Sequence, residues 1–174
     1  MDLHPVDPRK VPTGLLSLLS GPGALLTAGT KENCNTMTIG WYQMGVLWNT
    51  LVCTVYVRPE RYTCGFMEEQ DYFTVSAFLH SPEASRILRL CGSKSGRDTD
   101  KIKECGLTLS TGAGGAPFFR EAELVLVCRK LYAQDMDPAA VRPAGSEKIL
   151  PFYGTRGSWH RAYTGEIVEA LRKK

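Results

Sequence analysis

What this chain has little of narrows its chemistry before any motif is considered. Three histidines in 174 residues, His4, His80 and His160, are too scattered to ligate a metal together. The six cysteines, at 34, 53, 64, 91, 105 and 128, fall at wide gaps with no Cys-x-x-Cys pair. That spacing excludes the usual zinc sites and favours reduced, buried thiols acting as small hydrophobes, which suits the cytoplasm. Charge of one sign is also scarce. Twenty-one Lys+Arg against 18 Asp+Glu leave +3, too little for a nucleic-acid footprint. No long hydrophobic run is present, because Gly21-Pro22-Gly23 breaks the apolar stretch Leu15–Leu26 and Met1–Lys10 mixes acids with bases. Neither a membrane span nor a signal peptide is expected. The 17 Gly and 10 Pro are too few for low complexity but enough for many turns. One domain over residues 1–174 is expected, with a core over about 20–172.

What is there reads mainly as strand. Gly23–Ala28, Asn35–Trp41, Leu51–Val57, Tyr72–Phe78, Ala122–Gln134 and Trp159–Leu171 are β-rich. Leu51–Val57 is apolar on both parities, as for a strand buried on two faces. Short helices are expected from Pro59 to Gln70-Asp71, from Ser81-Pro82 with Ser81 as N-cap, and over Asp98–Glu104 capped by Asp98. Cys91–Arg97 reads as a polar loop, Thr111–Gly115 as a glycine-rich turn and Asp135–Ser158 as a loop rich in proline and glycine. Many strands with a few short helices suggest a barrel or sandwich; helices between strands leave an α/β alternative open.

The familiar catalytic motifs fail. Gly112-Ala-Gly114-Gly115-Ala-Pro117 has proline where a dinucleotide fingerprint needs its last glycine, and Gly92-Ser-Lys94-Ser-Gly96 has lysine where a nucleophile elbow needs serine. Missing side-chain machinery is informative if a cofactor carries the chemistry.

Three segments have cofactor-binding chemistry. Ser93-Lys94-Ser95-Gly96-Arg97-Asp98 offers hydroxyls, cations and a glycine for a phosphate, and Arg86–Lys103 holds six basic and two acidic residues. A solvated polar loop would use the same residue types. Arg58, Arg61, Tyr62 and Thr63 form a second donor cluster, equally compatible with a helix start and surface arginines. Asn35-Thr36-Met37-Thr38, with Trp41, Trp48 and Asn49, is polar and aromatic at strand spacing, as any half-buried strand could be.

In order, these segments resemble the flavin reductase family, whose fold is the FMN-binding split barrel, and within it the flavoredoxin-like branch. The resemblance rests on Asn35–Trp41, Gly45–Asn49, Val55–Thr63, Tyr72–Ser76, Cys91–Lys101 and His160–Ile167. It implies a mainly β, split β-barrel with a few short helices, a homodimer, and FMN at the dimer interface. It further implies ring contacts from Asn35, Thr36, Met37 and Thr38, with Trp48 and Asn49 close by. Arg58, Arg61, Tyr62 and Thr63 would line the cofactor, and Ser93, Lys94, Ser95, Gly96, Arg97 and Lys101 its phosphate and ribityl chain. His160 matches a histidine on the nicotinamide side of the flavin and is the candidate catalytic residue. The expected activity is hydride transfer between NADH or NADPH and FMN. The alternatives are an FMN-binding electron carrier reduced by a redox protein partner, and a split barrel that has lost its flavin. Neither nucleic acid nor membrane is expected as a partner.

Overall fold

In the computed structural model, residues 3–7, 23–154 and 158–173 are described. Of the apolar stretch Leu15–Leu26, the part up to Pro22 lies outside them. Ten strands are present among these residues: β1 (Leu3–Val6), β2 (Ala24–Gly29), β3 (Cys34–Ile39), β4 (Tyr42–Leu47), β5 (Thr50–Val57), β6 (Tyr72–Ala77), β7 (Leu109–Thr111), β8 (Pro117–Phe119), β9 (Leu124–Asp135) and β10 (Arg161–Lys173). Four α-helices interrupt them: α1 (Tyr62–Glu69), α2 (Pro82–Ser93), α3 (Lys101–Cys105) and α4 (Pro143–Tyr153). The main sheet runs β3-β2-β6-β9-β10-β5-β4, antiparallel throughout, with β1 against the tail of β10. β7 and β8 pair separately.

Two cores hold this sheet, and β2 explains why. All six of its residues are buried, so Leu26 faces one core while Leu25 faces the other. Inside the barrel, Leu26, Val55, Val57, Phe73 and Tyr163 pack on Phe66 and Met67 of α1. Outside it, Leu25, Val125 and Val127 pack on Ile87 and Leu88 of α2 and on Phe118 and Phe119. β2 is thus buried on both faces, as are β6 from Phe73 on and the first half of β9, whereas β5 buries Val52, Cys53, Val55 and Val57 but leaves Thr54 and Tyr56 half-buried. β10 bends at register shifts after Thr164 and Ile167. Gly165 makes the first bend possible, since a β-carbon there would lie 2.7 Å from Phe73 and 2.9 Å from Cys128.

α2 starts as its sequence requires: Ser81 Oγ accepts from the Ala84 amide at 3.0 Å, and Ala84, Ile87, Leu88 and Cys91 make one buried face. Other expectations need correction. Asp100, not Asp98, caps α3, accepting from the Lys103 amide at 3.0 Å. The expected loop from Cys91 is helical as far as Ser93. The expected strand to Trp41 stops at Ile39, and β4 follows as a hairpin with β5. The loop expected over 135–158 contains α4; Pro143 occupies its first turn, where its missing amide removes no helix bond, and Pro151 lies in its last turn, where it removes one amide donor. All six cysteines are free, and five are buried.

Candidate functional site

The antiparallel sheet carries β3 past the N-terminal end of α1, and α2 delivers the following loop to the same place. Between them lies a cleft of about 410 Å³, within the range of small-molecule sites. It collects Asn35 and Met37 from β3, Arg58, Arg61, Tyr62 and Thr63 from the β5–α1 junction, and Ser93, Lys94, Ser95, Gly96, Arg97 and Lys101 from α2 onward. Twelve of the seventeen sequence candidates thus converge from three separated segments.

Asn35 is the joint. It is buried, and its Nδ2 donates to Thr63 Oγ1 at 2.7 Å, fixing β3 to the first turn of α1. That turn has no side-chain cap from Arg61 and no acidic residue. Its amides therefore leave a partial positive charge toward the cleft. The loop above it is folded by Ser95 Oγ, which accepts from the Arg97 amide at 3.2 Å.

Five cations and one carboxylate, Glu60, line the cleft. Lys94 pairs with Glu104 at 2.9 Å, and Arg58 lies 3.9 Å from Glu60. Arg61, Arg97 and Lys101 have no carboxylate partner among the described residues. Arg97 stacks over the Tyr62 ring at 4.7 Å, and Arg61 donates to the Gly92 carbonyl at 3.4 Å. Lys101 is buried, and its ammonium donates to the carbonyls of Thr36 and Cys91, bracing β3 against the end of α2. Burial pushes its pKa below the usual lysine value, with Arg61 adding to the effect. Much of the basic run from Arg86 is spent elsewhere, since Arg86 pairs with Glu83 at 2.7 Å.

Five candidates stand outside the cleft. The Thr36 hydroxyl donates to Leu26 O at 3.1 Å and accepts from Thr27; the Thr38 hydroxyl donates to Leu88 O. Strand alternation turns both away from Met37, leaving only the backbone of this stretch for a ligand. Trp48 and Asn49 form the β4–β5 turn with φ of 51° and 58°, and Trp48 meets Tyr132 at 6.0 Å. His160 stands behind Arg58. Its Nδ1 is 3.0 Å from the Tyr153 hydroxyl, its ring centroid is 4.8 Å from Trp41, and Arg58 donates to Phe152 O at 2.7 Å in the same cluster. Sequence reasoning missed Glu60 and Cys91 as lining residues; Glu60 between two arginines was the readable signal.

Burial, reinforced by Arg58, holds the His160 pKa below its ordinary value. The unfolded chain then binds the proton more tightly, so this group costs stability as pH falls through the ordinary histidine pKa toward the depressed one. Wild type should lose more thermal stability than His160→Gln between pH 7.5 and 5.5. Parallel melting curves for the two proteins would refute the assignment.

A family model described as a flavin reductase-like domain matches residues 16–172. Flavoredoxin from Methanosarcina acetivorans superposes with a TM-score of 0.67 at 25% identity, over 88% of this chain and 69% of that one. An FMN-binding protein from Thermus thermophilus gives 0.66 at 18% identity, over 87% and 71%. The NADH:FAD oxidoreductase of Streptomyces globisporus gives 0.62 at 19% identity, over 97% and 86%. No curated protein matches the chain.

Proposed function

The chain belongs to the flavin reductase-like family, and from that premise we propose that it binds FMN in this cleft and reduces it with NADH or NADPH. The observation that carries the reading is the meeting of three cations lacking carboxylate partners among the described residues, a helix start without a side-chain cap and a Ser-Gly loop. That donor set suits a dianionic phosphate. Ser95, Gly96, Arg97 and Lys101 would hold the phosphate, while Asn35, Met37, Arg58, Arg61, Tyr62 and Thr63 would hold the rest of the cofactor. When bound, FMN supplies the electron sink that the protein's own side chains lack. Arg58 and Arg61 line the same cleft and would add positive charge that favours a reduced, anionic flavin there. His160 sets the position of Arg58 through Tyr153 and Phe152, which makes it a positioning residue.

Purified protein should bind FMN in equilibrium dialysis, and anaerobic NADH or NADPH should bleach the bound flavin. Failure of dialysis would remove flavin binding altogether. Binding without bleaching, together with rapid reduction by a ferredoxin-type donor, would replace the reductase by an electron carrier. The 25% identity to a flavoredoxin favours that second reading. Six free thiols suit a reducing, cytoplasmic setting for either.

We further propose a homodimer. Trp48 is 58% exposed at a positive φ, which is costly twice over for a large aromatic residue. It also lies outside the cleft of its own chain, and in this dimer Trp48 and Asn49 of a second copy would close the cleft. Trp48→Glu should convert a dimer to a monomer by light scattering and weaken FMN binding at least about tenfold, or about 1.4 kcal/mol. A wild-type monomer that holds FMN would refute the dimer.

A further inference from the structure

Between α2 and α3 lies a pair of thiols that flavin binding does not use. Cys91, in the last turn of α2, and Cys105, at the end of α3, are both buried with their sulfurs 3.8 Å apart. The residues between them are the loop that walls the cleft. Each cysteine carbonyl is gripped by a cation: Lys101 reaches that of Cys91 at 3.4 Å, and Arg86 that of Cys105 at 3.1 Å. Lys94–Glu104 at 2.9 Å closes the same unit across its open side.

The pair is reached from two directions. Cys91 lines the ligand cleft, while Cys105 lines a separate cavity of about 230 Å³ beside Ser81 and Glu121. Cys53 and Cys128 also bring their thiols within hydrogen-bond reach, but not their backbones. Cys53 and Cys128 sit on β5 and β9 with β10 between them, two strand spacings apart, or about 9.5 Å, beyond the roughly 7 Å Cα span of a disulfide.

We infer that Cys91 and Cys105 are a modification site: a peroxide converts them to a disulfide that clamps the 94–100 loop onto the cleft. The step balances. One sulfur, Cys105 on the cavity side, attacks an oxygen of hydrogen peroxide; an S–O bond forms, the O–O bond breaks, and hydroxide leaves with the thiol proton as water. The Cys91 sulfur then attacks that of Cys105, forming the S–S bond and expelling the second oxygen as water with the Cys91 proton. Two thiols and one peroxide give one disulfide and two waters. Burial holds both thiols protonated, with Cys91 pushed up to about 12 against the opposing pull of Lys101 and Arg86. Oxidation is accordingly slow and needs excess peroxide. Joining the ends removes freedom from the intervening loop when it opens.

The test uses the full chain with hydrogen peroxide as the probe. After thiol blocking, peptide mapping without reductant should find Cys91 joined to Cys105 with loss of two hydrogens. Native trypsin, read on reducing gels, should cut after Arg97 at least tenfold more slowly in oxidised than in reduced protein. In Cys105→Ala, whose fold is checked by circular dichroism, peroxide should leave the cutting rate unchanged. Absence of the linked peptide, or equal cutting of oxidised and reduced wild type, overturns the proposal. Neither readout depends on FMN, so a protein that fails to bind flavin would still decide it.

Discussion

Lys101→Met should lower the melting temperature by about 4–8 °C, the equivalent of roughly 2 kcal/mol in a chain of this size, and weaken FMN binding at least about tenfold. Methionine keeps the apolar stem and removes the ammonium. The buried carbonyls of Thr36 and Cys91 then lose the donor that joins β3 to the end of α2. A buried acceptor without its donor costs about 1–3 kcal/mol, partly offset because the ammonium no longer has to be desolvated. The cleft meanwhile loses a cation that pairs with no carboxylate among the described residues. Stability against pH separates the contributions. The folded-state pKa is depressed, so the unfolded chain binds the proton more tightly, and wild type gains stability as pH rises from that depressed value toward the ordinary lysine range. The variant should lack this gain. A lowered melting temperature with unchanged FMN affinity would reduce Lys101 to a brace.

How much of the fold was legible followed from how local its cause was. Ser81-Pro82 announced α2 because capping is decided within four residues. The split barrel came from resemblance: its bends rest on Gly165 missing Phe73 and Cys128, contacts between β10, β6 and β9 that no local pattern encodes. β4 escaped although Tyr42 and Met44, packed on the core, alternate with exposed Gln43 and Gly45, because Val46 and Leu47 are exposed too and cut that alternation to four residues. α4 escaped because its prolines read as loop, although both lie at helix ends.

The site was legible to the same degree. Residue types marked the Ser93–Arg97 loop and the Arg58–Thr63 junction, and the fold brought them together. Side-chain direction was legible in part: strand alternation puts Thr36 and Thr38 on one face and Met37 on the other, but which face meets the cleft is set by Leu26 and Leu88, whose carbonyls take the threonine hydroxyls. Pairing was not legible. Lys94 looked as available as Arg97 until Glu104, ten residues on, took its charge.

Gly96→Val should weaken FMN binding about thirtyfold or more, roughly 2 kcal/mol, while moving the melting temperature by no more than about 2 °C. A β-carbon on Gly96 would stand 2.0 Å from Asn35 Oδ1 and 3.1 Å from the Tyr62 ring. Neither neighbour can retreat. Asn35 is 6% exposed and tied to Thr63 at 2.7 Å, and Tyr62 is held between Arg97 at 4.7 Å and the Phe66 ring at 5.2 Å. What yields is the loop, which carries Ser95 and Arg97 away from the cleft. Because that loop lies on the surface and belongs to neither core, the displacement spends binding energy and leaves stability nearly intact. Gly65 supplies the contrast, since a β-carbon there meets nothing within 4 Å inside α1. Gly65→Ala should therefore stabilise the chain by up to about 1 kcal/mol and leave FMN affinity unchanged. Equal affinities for the Gly96 and Gly65 variants would mean that the loop does not touch the ligand, and the phosphate would have to be sought at Arg61 and the start of α1.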